Sequence, residues 1–71
     1  MKIEQKTTNY SEQQKSTVIT YLRKKYNFSV IRDYGSNVIL ENFTGSLRAE
    51  ILIGGNELQY TVFSISSIIA D

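Results

Sequence analysis

The 71 residues include no cysteine, histidine, tryptophan or proline, and each gap removes a class of chemistry or architecture. Without cysteine no disulfide can staple so small a domain, and without thiolate or imidazole no zinc site of those ligands can form. The same gap removes Cys and His nucleophiles and the imidazole acid–base group that most compact catalytic sites use. An excess of one charge sign is also missing. Eight Lys and Arg face seven Asp and Glu, a formal charge of +1, which is too little for a strong non-specific grip on nucleic acid or an anionic membrane. No run approaches the roughly 18 apolar residues of a membrane span, and Met1-Lys2-Ile3-Glu4-Gln5-Lys6 lacks the apolar core of a signal peptide. The expectation is a cytoplasmic protein with no membrane partner.

With 41% hydrophobic and 21% charged residues, the composition is one that folds rather than one that stays disordered. The length allows a single domain. Residues 1–10 read as an N-terminal arm, or at most a short edge strand, since they are polar apart from Ile3 and carry no clear period. Residues 11–71 then form one α+β domain. A core of this size contributes only about 3 to 5 kcal/mol of stability, so self-association is a natural supplement.

Ser11 followed at the third place by Gln14 has the spacing of a helix N-cap. Val18, Ile19, Leu22 and Tyr26 then recur at helical spacing, predicting a helix from Glu12 to Tyr26 with Asn27 as its left-handed stop. Beyond Asn27 the period falls to two, punctuated by turn signals at Gly35-Ser36, Thr44-Gly45 and Gly54-Gly55-Asn56. Two-residue loops at these turns fix the register as Ile31 opposite Leu40, Leu40 opposite Ala49, Val38 opposite Ile51, and Ile51 opposite Tyr60. One face collects Ile31, Val38, Leu40, Leu47, Ala49, Ile51, Ile53, Leu58, Tyr60 and Val62, and the helix stripe seats on it. The predicted architecture is two-layered: one N-terminal helix on a four-stranded antiparallel meander, in the order α-β-β-β-β. Residues 66–71 either extend the last strand or turn into a short helix capped by Ser66.

The same register places Phe28, Val30, Arg32, Tyr34, Ile39, Glu41, Phe43, Arg48, Glu50, Leu52, Thr61, Phe63 and Ile65 on the opposite face, for which a single helix leaves no cover. Glu41 falls opposite Arg48, a pair worth about 0.2 to 1 kcal/mol on an exposed sheet. Aromatic residues and Arg dominate binding energy where they are desolvated, so Phe28, Arg32, Tyr34, Phe43, Arg48 and Phe63 are the candidate partner-binding set. Other features have blander explanations. Arg23-Lys24-Lys25 sits where basic residues complement a helix C-terminus, and successive helical positions point too far apart to form one phosphate clamp. The carboxylates Glu4, Glu12, Asp33, Glu41, Glu50, Glu57 and Asp71 are dispersed, and none of their spacings is that of a calcium or magnesium loop. Gly54-Gly55-Asn56 joins two strands and has no following Lys-Ser/Thr, so it is not a phosphate loop. No catalytic residue, metal ligand or cofactor site is expected.

The run from Val18 to Leu40, with Lys24-Lys25-Tyr26-Asn27-Phe28 closing the helix and Val30-Ile31-Arg32-Asp33-Tyr34-Gly35-Ser36-Asn37-Val38-Ile39-Leu40 forming a hairpin, resembles the opening of small toxin ribonucleases of double-stranded-RNA-binding-like fold. The resemblance covers about a third of the chain. It would imply RNA cleavage by a histidine placed after the Gly-Ser turn, where this chain has Asn37, and a terminal helix where a fourth strand is expected here. The reading taken from the residues themselves is a small non-enzymatic binding protein, an inhibitor or modulator of the kind that phages and mobile elements encode. Its partner is another protein or a second copy of itself, met through the open aromatic and Arg face. Single-stranded nucleic acid stacked on the same face is one alternative, because aromatics interleaved with Arg on an open antiparallel sheet can hold bases; a self-associating structural adaptor, its open face covered by a copy of itself, is the other.

Overall fold

The computed structural model describes residues 1–65. The alternatives for residues 66–71 fall outside the described residues. The chain runs β1 (Lys2–Asn9), α1 (Glu12–Tyr26), β2 (Ser29–Asp33), β3 (Asn37–Glu41), β4 (Leu47–Gly54) and β5 (Glu57–Ser64). All pairings are antiparallel, in the spatial order β1-β5-β4-β3-β2. The class is α+β with an antiparallel sheet. The expected four-stranded meander is corrected to five strands, because Lys2–Asn9 adds to the outer side of β5.

Both helix ends form as their residues dictate. The Ser11 side chain accepts from the Gln14 N–H at 3.0 Å, and Asn27 stops the helix at φ 60°, ψ 39°, a left-handed conformation that Asn tolerates better than most residues. Val18 and Leu22 are buried, with Ile19 and Tyr26 packed beside them. Alternation of antiparallel neighbours makes β1 and β2 run in the same direction at opposite edges, so α1 must cross the sheet between them. Two contacts show the diagonal. Lys15 near its start donates from Nζ to the Gly35 carbonyl at 2.9 Å and lies 3.4 Å from Asp33, whereas Lys25 near its end reaches Glu4 on β1 at 3.3 Å.

The hairpins from β3 to β5 keep the register the turns impose: Val38 pairs with Ile51, Leu40 with Ala49, and Ile51 with Tyr60. The β2–β3 hairpin begins equally regularly. Tyr34 donates its N–H to the Asn37 carbonyl at 2.8 Å around Gly35, whose φ of 88° suits glycine. Farther along, the pairing passes from Arg32–Ile39 to Val30–Leu40, leaving Ile31 as the extra residue of a bulge. The expected Ile31–Leu40 pair is therefore replaced by Val30–Leu40, and Ile31 is 47% exposed instead of joining the core. The core comprises Val18, Leu22, Phe28, Val38, Leu40, Ala49, Ile51, Leu58, Tyr60 and Val62. No polar side chain is buried with it among the described residues.

Candidate interaction face and the Glu4 cluster

On the side of the sheet away from α1, three rows cross the strands. One runs Glu41–Arg48–Phe63–Lys2, a second runs Arg32–Ile39–Glu50–Thr61–Gln5, and the third sets Asn37, Leu52, Gln59 and Thr7 side by side. The Glu41–Arg48 pair forms where the hairpin arithmetic puts it, with Arg48 Nε donating to Glu41 Oε2 at 2.9 Å. Asn37 Nδ2 donates to Glu50 at 3.2 Å and to the Ile51 carbonyl at 3.1 Å. These bonds hold the polar members flat against the sheet. Between them Leu52 is 48% exposed, and Ile39 and Phe63 are half-buried. No element among the described residues covers them.

Of the six sequence-derived candidates, Arg48 and Phe63 are cross-strand neighbours on this face. Arg32 lies on the edge strand β2, and its Nη1 is 3.4 Å from the hydroxyl of Tyr34, the residue just beyond that strand. Tyr34 is 63% exposed. Phe43 stands off the sheet at the tip of the β3–β4 turn, 96% exposed. That tip is braced from within, since Asn42 accepts from the Leu47 N–H at 3.0 Å and donates to Ser46 at 3.1 Å.

Phe28 is a correction, because it is 3% exposed and belongs to the core. The Ile31 bulge is the cause: one added residue reverses the alternation, so residues before it change sides. Val30 consequently pairs with core Leu40, and the Phe28 ring packs 5.2 Å from that of Tyr26. A second signal was available in the sequence. A residue just beyond a left-handed helix stop commonly folds back onto the last turn, and Phe28 follows Asn27.

The sequence reading missed a cluster around Glu4. Its carboxylate accepts hydroxyl bonds from Tyr21 at 2.7 Å, Tyr26 at 2.5 Å and Tyr60 at 2.7 Å, and an ammonium bond from Lys25 at 3.3 Å. Burial alone would raise the Glu4 pKa. The three hydroxyls and the Lys25 ammonium outweigh it and hold the carboxyl at about 2. The phenols of buried Tyr60 and half-buried Tyr26 are pushed up in turn, first by desolvation and then by the adjacent carboxylate. Lys25 is also raised, by its bonds to Tyr21 and Glu4, and its ammonium lies about 5.5 Å from the Tyr21 and Tyr26 rings. The hydroxyls and the ammonium converge on the Glu4 carboxylate, so the cluster clasps β1 to α1 and, through Tyr60, to β5. Beside it runs an open groove of about 310 Å³ between α1 and β1, lined by Lys6, Thr8, Gln14, Thr17 and Val18 as well as members of the clasp.

Among the described residues no three Asp or Glu side chains approach closely enough to hold a metal ion, and no helix is long and apolar enough to cross a membrane. No family model, curated protein or solved structure matches the chain.

Proposed function

We propose that the protein is a non-enzymatic binding protein, an inhibitor or modulator that docks another protein on the open face of its sheet. The observation carrying this reading is a sheet face that no other described element covers, with Phe63 and Arg48 in one row, Ile39 in the next and exposed Leu52 in the third. Apolar surface ringed by fixed polar groups is the composition of a protein contact. Tyr34 and Arg32 extend the surface along β2, and the braced turn offers Phe43 as a projecting anchor. The same rigidity favours binding, because bonded polar groups and a braced turn lose little freedom when a partner arrives.

The test is affinity capture from cells expressing the tagged chain, compared with Phe63→Ser and Phe43→Ser variants. Binding should be lost or fall steeply in at least one variant while circular dichroism stays native, and it should vary weakly with salt. Capture unchanged by both substitutions would place the contact elsewhere. Retention of nucleic acid, with affinity falling steeply as salt rises, would favour base stacking on this face instead.

A further inference from the structure

Among the described residues the outer edge of β1 is unpaired, and its backbone polarity can be read from the ladder. Tyr10 donates its N–H to the Asn56 carbonyl of the β4–β5 turn at 2.8 Å, and the register is regular from Glu4–Val62 to Asn9–Glu57. Alternation then turns the backbone groups of Thr8, Lys6 and Glu4 toward β5 and those of Gln5, Thr7 and Asn9 outward. An antiparallel strand added here must pair odd-numbered positions through hydrogen bonds, bringing Glu4, Lys6 and Thr8 against its own side chains at the closer, non-hydrogen-bonded sites. These three occupy the helix side of the sheet, opposite Val62, Tyr60 and Leu58. Lys6 is exposed and makes no ion pair among the described residues.

Two copies of this strand can meet about a two-fold axis in few ways. An axis at Glu4 sets Glu4 against Glu4, and an axis at Lys6 sets Lys6 against Lys6. An axis at Gln5 sets each Glu4 opposite the other copy's Lys6, giving two opposite-charge pairs; an axis at Thr7 gives none. Like charges directly opposite destabilise a sheet, and opposite charges support it. We propose that β1 pairs antiparallel with β1 of a second copy about Gln5, joining two five-stranded sheets into one of ten strands. Both helices lie on one side of this sheet and both open faces on the other, so the assembly doubles the continuous surface available to a docking partner. The pairing also occupies an edge strand that would otherwise present free backbone groups to any extended chain.

Sedimentation of the full chain from micromolar to millimolar concentration tests it, with two variants. Gln5→Pro removes an outward N–H but none of the bonds to β5, so the monomer stays folded and the dimer is lost. Lys6→Glu replaces both cross-pairs by carboxylate repulsion and weakens dimerisation by about tenfold or more, with an unchanged circular dichroism spectrum. A single species of monomer mass throughout the range would overturn the proposal. So would a dimer that survives Gln5→Pro or is indifferent to Lys6→Glu. A dimer abolished by Phe63→Ser but not by Gln5→Pro would assign self-association to the open face instead.

Discussion

The two faces of the sheet are built from alternate residues of the same strands, yet they follow different rules. On the helix side, β3 to β5 contribute only apolar side chains and Tyr60 to the centre, and these are buried whatever their size, from Ala49 to Ile51. On the other side Leu52, Ile39 and Phe63 are equally apolar, but bonded polar neighbours surround them and no second layer lies above among the described residues. Residue type alone therefore does not separate the core from the open face. Register does, because a single bulge moves a large aromatic from one face to the other.

The sharpest way to break this comparison is Phe28→Ala. As a buried core side chain it should cost about 3 to 5 kcal/mol, measured by urea unfolding; a loss below about 1 kcal/mol would return Phe28 to the surface and remove the bulge. A smaller effect separates β1's helix side from both faces. Glu4 has its folded-state pKa depressed to about 2 from an ordinary 4.5. Its contribution is complete above about pH 4.5 and is lost as pH falls from there toward 2. Thermal melts across that window should fall more steeply for the native chain than for Glu4→Gln, and parallel curves would show that the clasp does not hold the strand. The smallest effect belongs to the turn tip, where Phe43→Ser should change stability by no more than about 0.5 kcal/mol. A larger loss by the same unfolding assay would mean that Phe43 packs against the domain.

Much of this fold is legible in the chain because local chemistry coincides with long-range need. Ser11 and Asn27 end the helix by bonding and backbone preference that require no neighbour. Gly35, Gly45 and Gly55 all take positive φ at the turns that fix the later register. The first strand was harder to read, because its helix-facing positions are Glu4, Lys6 and Thr8. Their contacts are hydroxyls, an ammonium and a groove rather than apolar neighbours, so the alternation that marks a half-buried strand is absent. The bulge is equally silent. Nothing in Ser29-Val30-Ile31-Arg32-Asp33 distinguishes five paired positions from four plus one, and the balance is set by the gain from bringing Phe28 under the helix. The Glu4 cluster depends on both features, since it needs β1 beside β5 and the end of α1 above it. In the sequence Tyr26 belongs to the apolar helix stripe and Lys25 to the basic run at the helix end, and nothing there links either to Glu4 or Tyr21.

The pairing of β1 with β5 also orders events in time. Met1 accepts from Ser64 across the sheet at 2.8 Å, so strands made at opposite ends of the described chain complete one ladder. While the polypeptide is being synthesised, α1 can form and the β2–β3–β4 hairpins can assemble in sequence from short loops. Lys2–Asn9 has no ladder to enter until Glu57–Ser64 has emerged, and joining them closes the longest loop in the domain, the slowest kind of contact to establish. Lys2–Asn9 therefore stays unpaired while the elements between it and Glu57–Ser64 are made. The charges of Lys2, Glu4 and Lys6 then serve a second purpose, keeping that strand in water until its neighbour arrives.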